Sequence, residues 1–90
     1  MQKLLICYDL YKQGQNYKGI DNLIQTLGDC RRILNTTWIL KTKYSYDRVF
    51  DKLQNECLDS NDKCLVFELP DELNGIISNL GKDVTEWINS

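Results

Sequence analysis

An α+β fold is predicted for this 90-residue chain by three observations. Short runs rich in apolar, β-branched and aromatic residues occur at 3–9, 30–35, 37–42 and 64–69, as strands require. Two intervening stretches repeat apolar residues at helical spacing. The resulting order is strand, helix, strand, strand, helix, strand, followed by a helical tail. That is the split β-α-β order of a ferredoxin-like β-α-β-β-α-β sandwich, in which one face of an antiparallel sheet carries both helices. The other face is left open or given to a partner. The expectation is a single domain over residues 1–90, with a core at 1–69 and a helical tail at 70–90.

Leu4-Leu5-Ile6-Cys7-Tyr8 gives the first strand its apolar run, and Asp9 closes it. Residues 10–17 read as a polar loop around Gly14. Ile20, Leu23, Ile24 and Leu27 form a helix face, and Gly28 stands where a C-terminal cap belongs. Asn35-Thr36 is a tight turn between the second and third strands. Ser45 is placed to cap a second helix, whose apolar face is Tyr46, Val49, Phe50, Leu53 and Cys57. Asp59-Ser60-Asn61-Asp62 reads as a turn. After Pro70, Leu73, Ile76, Ile77 and Leu80 suggest one short helical face. Gly81 interrupts it, and Val84, Trp87 and Ile88 suggest another.

Composition removes several classes of function. The formal net charge is −2 and the sequence pI is about 4.9, which argues against a dedicated nucleic-acid coat. The chain contains no histidine, so Ser-His-Asp, Cys-His and imidazole-zinc chemistry are excluded. Cys7, Cys30, Cys57 and Cys64 form no C-x-x-C pair and read as free thiols in a reducing compartment. No apolar run approaches the roughly 20 residues a membrane-spanning helix needs. The N-terminus also lacks the pattern of a secretory signal. A cytoplasmic location without membrane association is the expectation.

Asp9 is the leading candidate for chemistry, because it sits on rigid backbone at the exit of a buried strand. Tyr8-Asp9-Leu10 resembles the Y-D-[IVL] signature of Cas2, the small CRISPR-associated protein. Asn35-Thr36-Thr37-Trp38-Ile39 resembles the segment that enters the third strand in that family. Trp38-Ile39-Leu40-Lys41-Thr42 is similar to the third strand of the Cas2-like SinR family. The resemblance covers roughly residues 1–69 in order and spacing. It implies a homodimer in which Asp9 of each protomer lies near the two-fold axis. The pair would hold Mg²⁺ or Mn²⁺ for phosphodiester hydrolysis, since carboxylates are hard oxygen ligands. Asp9 is then both the catalytic residue and the metal ligand of a nuclease acting on RNA or DNA. Other Cas2 proteins are non-catalytic scaffolds on DNA, and the Cas2-like VapD toxins are ribonucleases. The helical C-terminus departs from the family, where a closing strand often pairs with the partner.

Other readings stand beside this one. Asp9 also suits a turn former, and Tyr8 suits a packed residue with its hydroxyl bonded. Lys12 and Lys18 flank the loop after Asp9 and are placed to meet a phosphate. Arg31 and Lys41 lie on adjacent strands as further nucleic-acid contacts, and Arg31 and Arg32 must point to opposite sheet faces. Trp38 reads as core or dimer interface, and Trp87 as an anchor for the tail. The Asp59–Asp62 turn fails the EF-hand pattern. The alternative to a nuclease is a non-catalytic dimeric module, binding nucleic acid or protein in phage defence, counter-defence or toxin biology. A small-ligand binder using a dimer groove ranks third.

Overall fold

A computed structural model describes residues 1–11 and 17–90. The elements are β1 (Gln2–Asp9), α1 (Tyr17–Thr26), β2 (Asp29–Leu34), β3 (Thr37–Thr42), α2 (Tyr46–Cys57), β4 (Lys63–Leu69) and α3 (Lys82–Ile88). The four strands form one antiparallel sheet in the order β2-β3-β1-β4. This small α+β architecture is compatible with a ferredoxin-like fold. Most of the expected loop around Gly14, with Lys12, lies outside the described residues.

The pleat of β1 sorts its side chains. Leu4, Ile6 and Tyr8 share one face and are buried with Ile20 and Ile24 of α1 and Val49 and Leu53 of α2. Each fully buried Leu or Ile contributes about 1.5–3 kcal/mol over its exposed state, so this layer is the main source of stability. Trp38 joins that core at 5% exposed. Tyr46, expected on the apolar face of α2, is instead 52% exposed. It is the first residue of the helix, and the burial begins one turn later at Val49. Ser45 occupies the N-cap position of α2, yet its hydroxyl donates to Asp47 Oδ1 rather than accepting from a helix N–H.

Gly28 has a different role from the cap expected of it. Its φ is not positive, which removes the left-handed cap. A Cβ at this position would lie 2.2 Å from the backbone oxygen of Lys41. Glycine is required because the chain leaving α1 passes directly against the end of β3. Thr42, 1% exposed, fastens the same crossing: its Oγ1 donates to Leu27 O at 2.7 Å and accepts from Tyr44 N at 3.2 Å.

Only the second of the two expected tail helices forms. Residues 70–81 contain no helix, and Ile77 is 98% exposed. Asn74-Gly75 and Ser78-Asn79 favour turns, and the β-branched Ile76-Ile77 pair between them cannot offset that preference. Asn89 holds the segment instead, accepting from Leu73 N at 2.8 Å and donating to Leu73 O at 3.3 Å. Gly81, at φ 107°, takes the left-handed turn into α3.

The sheet face opposite α1 and α2 is therefore not wholly open. Trp87 Nε1 donates to Asp29 Oδ2 at 3.1 Å, and Lys41 Nζ donates to Trp87 O at 2.5 Å and to Ser90 Oγ at 2.6 Å. Arg31 and Lys41 also lie 5.2 and 4.4 Å from the centroid of the Trp87 ring. Asp29, Arg31, Ile39 and Lys41 share this face by register. Ile39 and Ile88 are buried outside the main core, as a second small apolar layer under the tail. Gly28→Ala is expected to lower stability by about 1–3 kcal/mol in urea denaturation, because backbone must move to admit the methyl. A loss below about 0.5 kcal/mol would show that the crossing relaxes freely.

Candidate functional site

Asp9 ends β1 exposed, on the face away from α1 and α2. Its cross-strand partner in the register is Lys63, and Cys7 stands opposite Leu65 and Leu5 opposite Phe67. Leu65 is 53% and Phe67 41% exposed, so an apolar strip runs beside Asp9 on the part of the sheet that the tail leaves uncovered. Cys7, Asp9, Lys63 and Leu65 line a shallow depression of about 260 Å³. Thr37 Oγ1 donates to Cys7 Sγ at 3.7 Å, closing its β3 side.

Tyr8 points the other way, into the core. Its hydroxyl donates to Asp21 and accepts from Trp38 Nε1 at 3.2 Å. Asp21 also receives Arg32, whose guanidinium lies 4.9 Å from the Trp38 ring centroid. Burial, helped by the bond to Asp21, pushes the Tyr8 phenol up to about 12. The bonds to Asp21 and Trp38 anchor the Tyr8 side chain in the core, next to Asp9 in the chain. The Asp21–Arg32 pair had no signal in the sequence, because α1 and β2 meet only through the fold.

The donor set around Asp9 is small. Among the described residues, no group of three or more His, Cys, Asp or Glu gathers in a way that could hold a metal ion. One carboxylate facing a lysine does not make a divalent site within one protomer, since Mg²⁺ or Mn²⁺ demands several oxygen ligands. The residues fit such an ion only if a second copy brings a second Asp9.

The expected cations are dispersed. Lys18 is exposed on α1, and Lys12 lies outside the described residues. Arg31 and Lys41 are engaged by the tail at Trp87 and Ser90. Lys41 pairs with Lys3, six residues from Asp9 along β1, about 20 Å at the usual strand rise. Burial and the nearby Lys3 hold the Lys41 ammonium below its ordinary range. Arg31 and Arg32 do point to opposite faces, one to Trp87 and the other to Asp21.

The cysteines are free and half-buried. Burial raises the Cys30 and Cys57 thiols and carries Cys64 to about 11, which suits inert packing groups. The acidic turn before β4 serves structure: Asp59 Oδ1 accepts from Asn61 N at 3.0 Å, and Asp62 Oδ1 from Tyr11 N at 2.9 Å. That last bond ties the turn to the segment that follows Asp9. No family model, curated protein or solved structure matches the chain.

The raised phenol of Tyr8 has a thermodynamic consequence. Its folded pKa exceeds the unfolded value of 10.0, so its stabilising contribution is complete below pH 10 and disappears as pH rises through about 12. Tyr8→Phe lacks that contribution. The stability difference between wild type and Tyr8→Phe, from urea denaturation, is expected to move against wild type across this window. Parallel curves would show that Tyr8 is not held protonated by the fold.

Proposed function

We propose that this chain is a Cas2-like, cytoplasmic protein of ferredoxin-like fold that works as a homodimer and cleaves RNA or DNA at a site built from two Asp9 residues. The exposed carboxylate at the rim of an uncovered apolar sheet face carries this reading. Adjacent exposed apolar side chains such as Leu65 and Phe67 suit packing against a partner. The tail occupies the β2–β3 side of that face, which leaves the corner around Cys7, Leu65 and Phe67 for a second copy to pack on. A two-fold axis through that corner brings both Asp9 carboxylates to one place. The two Asp9 carboxylates would hold Mg²⁺ or Mn²⁺, which would supply water activation and charge neutralisation at the phosphate. Asp9 binds and orients, Lys63 offers an ammonium to a phosphate oxygen, and Tyr8 anchors the strand end in the core.

A second reading, a non-catalytic dimeric module in phage defence, counter-defence or toxin biology, draws on the same corner. Lys63 opposite Asp9 in the register favours it, because an ammonium beside the carboxylate competes with a metal ion for it. Among the described residues no helix is long and apolar enough to cross a membrane, which fits either reading.

Labelled RNA and DNA separate the two. Cleavage by wild type in Mg²⁺ or Mn²⁺, absent in EDTA and reduced at least about 100-fold in Asp9→Asn, is the expected result. Cleavage that is absent, or that survives the substitution, removes Asp9 from the chemistry and leaves the binding module.

A further inference from the structure

A basic and aromatic surface lies at the opposite end of the sheet from Asp9. Tyr44 lies two residues beyond the end of β3, half-buried against the core, and lines two adjoining grooves. One groove, of about 370 Å³, runs along α2 past Arg48 and Lys52. The other, of about 320 Å³, runs along the end of β3 past Lys41 and Lys43. Lys43 Nζ and the Arg48 guanidinium lie 5.5 and 5.6 Å from the Tyr44 ring centroid.

The charges here are not all committed. Lys52 is paired with Glu56 at 3.0 Å, and Lys41 is held by the tail. Among the described residues, Lys43 and Arg48 form no ion pair, and both are exposed. Asp47 is the adjacent carboxylate, but it is turned onto Ser45 Oγ and the backbone N–H of Arg48. The surface thus presents a flat ring anchored in the core, two cations resting on it, and open grooves on either side.

We propose that this surface binds single-stranded nucleic acid, with a base stacked on Tyr44 and the flanking phosphates on Lys43 and Arg48. A half-buried ring loses little freedom when a base stacks on it. Both cations reach the groove mouths on flexible stems, so they can leave the ring for phosphates. Stacking tolerates any base, so the site selects single strands over duplexes and does not read sequence. It stands independently of the chemistry assigned to Asp9, since it shares no residue with that corner.

The test is fluorescence anisotropy of labelled oligo-dT and oligo-U, with a labelled duplex as comparison. Tyr44→Leu keeps the apolar packing but removes the flat ring, and Tyr44→Phe keeps the ring. Circular dichroism establishes that each variant is folded. Wild type and Tyr44→Phe are expected to bind the single strands alike, with Tyr44→Leu weaker by about tenfold. Lys43→Gln with Arg48→Gln is expected to weaken binding and to flatten the salt dependence by about 1.4 in the log–log slope. Asp9→Asn is expected to bind as wild type does, which separates this site from the nuclease reading. Equal affinity of Tyr44→Leu and wild type would overturn the stacking site, leaving a charge-only patch if the double variant alone weakens binding. No binding at micromolar protein, or preference for the duplex, would overturn it as well.

Discussion

The alternation of side chains along β1 is the constraint on which everything else rests. Leu4, Ile6 and Tyr8 must face the helices, because they are the centre of the core. Lys3, Leu5, Cys7 and Asp9 are thereby sent to the other face. A slip of one residue would turn the charged side chains of Lys3 and Asp9 into the apolar layer under α1 and α2 and expose the core, so the register is strongly fixed. The position of the candidate carboxylate is a by-product of hydrophobic burial, and Tyr8, next to it in the chain, is anchored to Asp21 and Trp38.

The tail determines how much of that second face is left for anything else. α3 settles across Asp29, Arg31 and Lys41, covering the β2–β3 side with Trp87 and Ile88. Arg31 and Lys41, expected to meet a nucleic acid, are thereby given to the chain's own C-terminal segment. What remains is the β1–β4 corner, where apolar side chains meet one acid and one lysine. The same division leaves Tyr44, Lys43 and Arg48 outside the tail's reach at the other end of β3. An overall acidic protein can thus keep a local basic surface, because charge is sorted by place and not by sum.

Much of this fold is legible in the sequence because its strands and helices carry strong, unambiguous periods. β1, β3 and α2 fall within a residue of where alternation and helical spacing put them. The failures have particular causes. Leu73, Ile76, Ile77 and Leu80 carry a helical spacing, but local turn preferences outweigh so short a stretch. Gly28 looks like a cap because caps are the usual reason for glycine after a helix, whereas its actual reason is a backbone crossing set by β3. The candidate site is legible only in part. Asp9 at a strand exit is visible from its neighbours in the chain. Its proximity to Lys63, the capture of Arg31 and Lys41 by Trp87, and the Tyr8–Asp21–Arg32 cluster all join residues distant in sequence, and no local pattern encodes them.

In the proposed mechanism, assembly of two copies through the β1–β4 corner turns one exposed carboxylate into a site. Sedimentation of wild type and Phe67→Asp across micromolar concentrations tests it most directly, with circular dichroism verifying the fold of both. Wild type is expected to sediment at twice the chain mass of 10.6 kDa, and Phe67→Asp at the single-chain mass. A wild type that stays monomeric, or a dimer that Phe67→Asp leaves intact, would contradict assembly through this corner and with it the paired Asp9 site.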